Sequence, residues 1–525
     1  MALNSKEALL KALQLSPDLD DEVISQNISA IITVAVDDET YQPSLKTVYD
    51  SILQYHGGLV FLEPLDVLPP LLRCRREEAV DLISLISENS SPKEVLIVVQ
   101  EALEQITQLA REDEAEEESE EEYAPGSVRT LINVIVLSTK SLPRLTLGKR
   151  TALSAVSPLV SGVISAVSSL GRDFTLDSGR SLLEGVSRMS QVFYTWIIKT
   201  GSEANAAEAR KLITLLLDTT VLACASCIRA SLCARAFEMH YPRLTLTSAI
   251  EPEWQEGEHA ILSILTTLRV MNLSPQDVPA MSSLIMLAHE KESYPSLKDL
   301  PSTLHSMLVT SIQMNFALDE SLFLIFRCVT QDRTQPDLPP DLATSLCVVL
   351  PALASTHLDP FIRHFSLRLI ALILARLPSV FQQQILITLA SGAELPQMRA
   401  AAVGLLKEFV LDALQIPALS GEQNVFASPL LIRSFGPILF RTMPSDYLST
   451  EVLSFYYVLL QRDKANKTGI RDPDNIASVE SSLLRPLRSF LEKWSNTTAN
   501  PILSVISLQI GLERIDYAVQ TIRSR

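Results

Sequence analysis

Three of the six cysteines fall close together, as Cys224-Ala225-Ser226-Cys227 with Cys233 beyond. A Cys-x-x-Cys pair is the spacing of dithiol exchange and of half a zinc site. On a single helix through Leu215–Arg235, Cys224 and Cys227 share a face and Cys233 points away from both. No His follows at finger spacing, His240 being the nearest. Two readings stand: buried small hydrophobes, or a redox or metal site. The seven histidines (56, 240, 259, 289, 305, 357, 364) are scattered singly, and His289-Glu290 lacks the second His of a metalloprotease helix. Gly148-Lys149 resembles the end of a P-loop, but Pro143 occupies the first glycine position and Arg150 replaces Ser/Thr. No G-x-G-x-x-G is present. No catalytic, cofactor-binding or metal-ligating residue is therefore assigned, and the chain reads as a non-enzyme without a cofactor.

Two charged clusters remain. Arg462, Lys464, Lys467 and Arg471 gather in one segment near the C-terminus. They are read as a solvated loop or as a docking edge that steers an acidic protein partner. The run from Glu112 to Glu122 holds nine acids. It repels itself and reads as a disordered loop, either solubilising or an arm for a basic partner. Ser119, inside it, is a possible phosphorylation site by composition alone.

The elements that must carry these clusters are helical. The chain has 525 residues, 47% hydrophobic, with only 16 glycines, and none between Gly257 and Gly392. That argues against a turn-dense β architecture. In Glu394–Ala413, residues Leu395, Met398, Ala402, Leu405, Leu406, Phe409, Val410 and Ala413 fall on one helical face. Ser91-Pro92-Lys93-Glu94 is a capping box, Ser274-Pro275-Gln276-Asp277 repeats it, and Ser296-Leu297-Lys298-Asp299 is a weaker version. More than 20 helices and few strands are predicted. Thr151–Gly171 is uncharged and long enough to span a membrane, yet its six serines, Pro158 and Gly162 favour a helix packed in a soluble array.

Net charge is −17, but residues 1–122 hold 8 Lys/Arg against 27 Asp/Glu while residues 123–525 hold 36 against 34. The balance disfavours nucleic-acid binding. The N-terminus shows no leader pattern and the cysteines no disulfide framework, so a cytoplasmic or nuclear location is expected. The organisation expected is an N-terminal helical region (1–110), the acidic loop (111–127), central repeats (128–425) and C-terminal repeats (426–525) that form the partner-binding end.

Asp359-Pro360-Phe361-Ile362-Arg363-His364-Phe365 and Met398-Arg399-Ala400-Ala401-Ala402-Val403 resemble the second helix of a HEAT repeat. Their arginines stand 36 residues apart. The fold class is all-α, an irregular HEAT-like helical-repeat solenoid. The resemblance implies a structural role for Arg363 and Arg399, bridging neighbouring repeats.

Glu88-Asn89-Ser90-Ser91-Pro92-Lys93-Glu94-Val95-Leu96, followed by Gln100-Glu101-Ala102-Leu103, resembles the signature of the glomulin family. That family includes the plant aberrant-lateral-root-formation protein and fungal stress-factor-binding proteins. Ser90 stands where the family carries Cys. The resemblance implies a scaffold that binds the RING-box subunit of cullin ubiquitin ligases and masks its surface for the ubiquitin-conjugating enzyme. Through the fungal branch it implies instead an adaptor for an oxidative-stress transcription factor, or a kinetochore-associated scaffold. No membrane partner is expected.

Overall fold

The computed structural model describes residues 6–55, 57–113, 124–171, 173–200, 203–244, 250–277, 280–291, 302–331, 339–392, 396–415, 424–441, 446–497 and 503–524. Among these the regular elements are helices and no strand occurs, as composition and periodicity predict. Contacts divide the chain into two units. The first comprises Met1–Leu232, Ile250–Tyr294 and Phe316–Ser321, and the second comprises Cys233–Ala249, Pro295–Asn315 and Leu322–Arg525.

The first unit begins with α1 (Lys6–Ala12), α2 (Asp21–Asp37), α3 (Leu45–Gln54), α4 (Pro64–Arg73) and α5 (Glu77–Asn89). It continues with α6 (Pro92–Asp113), α7 (Ala124–Ser141), α8 (Ala152–Leu170), α9 (Leu176–Thr200), α10 (Glu203–Ala223) and α11 (Ala225–Ile228). Helix α12 (Leu232–His240) crosses the division; α13 (Trp254–Val270) and α14 (Ser282–His289) return to the first unit. The even helices α2, α4, α6, α8 and α10 each pack on the next, and so do the odd helices α1, α3, α5, α7 and α9, which ends on α13. Two parallel rows of stacked helices are the construction of an α-solenoid.

The second unit holds α15 (Ser302–Gln313), most of α16 (Leu318–Gln331), α17 (Pro340–Thr356), α18 (Pro360–Ala375) and α19 (Ser379–Ser391). It ends with α20 (Pro396–Gln415), α21 (Leu430–Leu439), α22 (Asp446–Arg462), α23 (Pro473–Val479), α24 (Arg485–Thr497) and α25 (Leu503–Arg523). Here α17 packs on α18, α19 on α20, α20 on α22, and α22 on α25.

Prolines open these helices. Pro64, Pro92, Pro340, Pro360, Pro396 and Pro473 each stand first in a helix, where the missing N–H costs nothing. Asp20, Ser44, Thr151 and Asp359 cap with their side chains. The Ser91 box differs from expectation. Helix α6 does start at Pro92, and the Ser91 carbonyl accepts from Val95 N at 3.2 Å, but the reciprocal side-chain bonds do not form. At Ser274 the acid does return: Asp277 Oδ2 accepts from the Ser274 N–H at 2.8 Å, closing a 3-10 turn rather than a longer helix. The Ser296 version lies outside the described residues, as does the acidic run beyond Asp113, with Ser119.

With glycine scarce, the helices need another way to satisfy their last carbonyls. Arginines supply it. Arg76 donates to Ala35 O and Val36 O at the end of α2, and Arg144 to Ser87 O (2.6 Å) and Ser90 O (2.8 Å) at the end of α5. Arg376 donates to Val329 O (2.6 Å) at the end of α16. Arg363 reaches His357 O (2.6 Å) and Leu358 O (3.0 Å) just after α17, and Arg399 reaches Ala390 O (3.0 Å) in α19. The fork geometry and permanent charge of guanidinium suit the negative end of a helix. Arg363 and Arg399 thus have the structural role expected of them, but each acts inside its own helical pair rather than bridging neighbouring repeats.

Two stretches bear on the sequence reading. Helix α20 buries Met398, Ala402, Leu405, Leu406, Val410 and Ala413 from the predicted face. Phe409 is half-buried and stacks on Phe426 at 5.8 Å, while Leu395 lies outside the described residues. Helix α8 is long and apolar enough to cross a membrane, and it buries Val156, Leu159, Val160, Val163 and Val167 against α6 and α10.

Candidate functional site

The cationic segment near the C-terminus is a built loop. Helix α22 ends at Arg462, and the next residue, Asp463, is 1% exposed. Its Oδ1 accepts from Lys467 N at 2.8 Å; its Oδ2 accepts from Thr468 N at 2.8 Å and Thr468 Oγ1 at 2.7 Å. A carboxylate bonded this way wraps the chain around itself. Asn466 at φ 54° and Gly469 at φ 77° supply the left-handed turns. Asn466 Nδ2 ties across to Asp472 Oδ1 at 2.7 Å, and Asn475 Nδ2 to Gly469 O at 2.7 Å.

This frame separates the four candidate cations. Arg471 is committed to structure: its Nε donates to Leu460 O at 3.1 Å and its Nη2 to the same carbonyl, closing the end of α22. Arg462, Lys464 and Lys467 are exposed and form no ion pair among the described residues. Exposed Asp472 and Asp474 follow them, so the surface is of mixed charge. Sequence reasoning missed Asp463 as the centre of the loop; its sign was an acid followed by Thr five residues on and Gly after that.

Helix α25 was also missed as a surface. Leu508, Leu512, Ile515 and Ala518 are buried, and α25 packs on α22. Its other side leaves Ile506, Ile510 and Tyr517 exposed at 40%, 43% and 72%. Arg488 steadies it through Asp516 (2.6 Å) and Glu480 (2.5 Å). The water-facing side of an amphipathic helix ordinarily carries polar residues. These apolar side chains are therefore a candidate contact surface.

The cysteine cluster has a different geometry from the one expected. The chain is not one helix from Leu215 to Arg235. Helix α10 stops at Ala223, α11 is a single turn, and Arg229 and Ser231 adopt φ 42° and 50°. Distant groups impose the break. Arg180, 5% exposed, donates Nε to Cys227 O at 3.0 Å and Nη2 to Ile228 O at 3.5 Å. Ser231 Oγ accepts from Glu251 N at 2.9 Å, and Asp319 Oδ2 accepts from Leu232 N at 2.6 Å. Arg180 Nη1 also pairs with Glu256 (3.0 Å) and Glu253 (3.5 Å), which with Asp177 form the one group of three acids close enough to hold an ion among the described residues. Arg180 pairs with two of these three exposed carboxylates and offsets part of their charge.

None of the six cysteines is in a disulfide. Burial, and next the neighbouring Cys227, pushes the Cys224 thiol far up, and burial raises Cys227. Burial also carries Cys328 to about 11 and Cys347 to about 12. A protonated, buried thiol is a poor nucleophile. Unfolded thiols ionise near 9.0 and these folded ones later. Their stabilisation is thus intact below pH 9.0 and is lost as pH rises through the folded values. The urea midpoint is expected to fall from about pH 9 to about pH 11, and iodoacetamide to label these four thiols at about pH 8 only after unfolding. Rapid labelling of Cys224 in the folded chain would refute this burial.

No curated protein matches the chain. Residues 289–524 match the family described as an uncharacterised protein family, YAP/Alf4/glomulin. The match lies C-terminal to the Glu88–Leu103 signature and takes in both the Arg462–Asn475 loop and α25. Over residues 289–524, somewhat under half of its length, the chain is similar to the YAP/Alf4/glomulin family.

Proposed function

We propose that this chain is a non-enzymatic interaction scaffold that binds the RING-box subunit of a cullin-RING ubiquitin ligase and blocks access of the ubiquitin-conjugating enzyme. The carrying observation is the family match over 289–524, the stretch that presents the Arg462, Lys464 and Lys467 cations on a rigid frame and the apolar side of α25. Rigid presentation lowers the ordering cost of docking, and unpaired surface cations raise the rate of encounter with an acidic partner. A cytosolic or nuclear location accords with this role. The second family reading, an adaptor for an oxidative-stress transcription factor or a kinetochore scaffold, shares the same surfaces. Its disulfide-exchange version is disfavoured by the burial of Cys224 and Cys227.

Calorimetry with the full chain and a RING-box protein is expected to give a one-to-one complex, and adding the chain to a reconstituted ligase is expected to slow ubiquitin transfer. Reversing Arg462, Lys464 and Lys467 to Glu together should weaken binding roughly tenfold, mostly through slower association. Absence of heat and of inhibition would sink the ligase reading.

A further inference from the structure

Within the second unit, α17 and α18 on one side and α20 and α22 on the other enclose a groove of about 790 Å³. Its floor is made of Ala354, Ala371, Ala400, Ala401 and Gly404. A Cβ built on Gly404 meets nothing within 4 Å. Small side chains here leave room for a backbone to come close.

Charge divides the groove. Helix α18 contributes Arg368 and His364, one turn apart, and α17 contributes Ser355. Arg368 forms no ion pair or hydrogen bond among the described residues, and Ser355 Oγ and His364 Nε2 are buried atoms without a partner. Burial and then the Arg368 charge hold the His364 imidazole below its ordinary pKa, so the wall is cationic through Arg368 alone. Opposite stand Glu408, also unpaired, and Glu451, which Lys407 meets at 3.7 Å.

We propose that this groove seats a helical segment of a protein partner, one that sets a carboxylate against Arg368 and a cationic side chain against Glu408. The walls dictate the helix. They are sides of helices, whose backbone groups are already bonded, so an extended peptide would find no main-chain partners there. A helix brings its own hydrogen bonds and needs only a shallow, small-residue floor. The unpaired Arg368, Ser355 and His364 on one side and Glu408 on the other fix its charge pattern and its direction. The inference rests on reading the chain as a binding scaffold, but not on the RING-box subunit as partner.

The test is selection of a displayed helical-peptide library, randomised on one face, against the full chain. Peptides that bind are then compared on Gly404→Trp and Arg368→Glu variants. Gly404→Trp fills the groove from a position with no neighbours, and its circular dichroism and melting curve check that the fold is kept. Enriched peptides are expected to carry Asp or Glu on the selected face and to lose at least tenfold affinity for Gly404→Trp. Re-selection on Arg368→Glu is expected to replace that acid with Lys or Arg. No enrichment, equal binding to Gly404→Trp, or an unchanged charge preference on Arg368→Glu would each overturn the proposal. A chain that enriches groove peptides yet ignores the RING-box protein overturns the ligase reading and leaves this one standing.

Discussion

Replacing Gly257 with alanine is expected to destabilise the first unit by about 3 kcal/mol or more, although alanine is the better helix former by about 1 kcal/mol. Gly257 lies inside α13, where a Cβ would stand 1.6 Å from Ile228 O and 2.7 Å from Ile228 C. Those are backbone atoms that Arg180 holds in place, so α13 or α11 must move as a body. Gly179 in α9 faces the same turn from the other side, with its Cβ position 2.5 Å from Cys227 Sγ. The single turn of α11 is thus clasped between two glycines. Gly404→Ala is the control: with no neighbour to displace, it is expected to gain roughly 0.5–1 kcal/mol from helix propensity alone. Urea unfolding followed by circular dichroism reads both. A Gly257→Ala protein as stable as the parent would mean that α11 is not seated against α13.

Asp463→Ala is expected to cost about 3 kcal/mol locally and to release the whole Arg462–Asn475 loop. The substitution leaves Lys467 N, Thr468 N and Thr468 Oγ1 without their acceptor, and the two Thr468 donors lie where water does not reach. Asp463→Asn should fall between, since an amide keeps one accepting oxygen for Thr468 N and Oγ1 and turns a donor toward Lys467 N. Amide exchange at Lys467 and Thr468 reads the loss directly, and limited proteolysis after Lys464 or Lys467 reads it independently. Unchanged exchange at Thr468 in the alanine variant would show that the loop stands without its centre. Under the proposed function, the same variant should bind the RING-box protein less tightly, although none of its cations has been altered.

Local signals were legible and long-range ones were not. The face of α20 and the helix starts at Pro92 and Pro360 depend on residues within a turn of one another, so periodicity and proline placement reveal them. The break after Cys224 depends on Arg180, Glu251 and Asp319, far off in the chain, and no glycine or proline marks it. Arg471 looked like a fourth docking cation because charge is visible in a sequence and a waiting carbonyl is not. The groove was invisible for the opposite reason: alanines pattern as ordinary helix formers, and only packing shows which of them are left uncovered. The glomulin resemblance was read on Glu88–Leu103, whereas the family match falls on 289–524.

The arginine contacts at the helix ends make fraying a shared event. The final turn of an isolated helix opens independently, because its carbonyls answer only to water. In this chain the end of α2 is held from Arg76, the end of α5 from Arg144, and the end of α16 from Arg376. Loosening one helix therefore takes the lid off another, and the smallest unit that can open by itself is a group of helices rather than a single one. Helix ends tied in this way are expected to exchange their last-turn amides together, group by group, rather than one helix at a time.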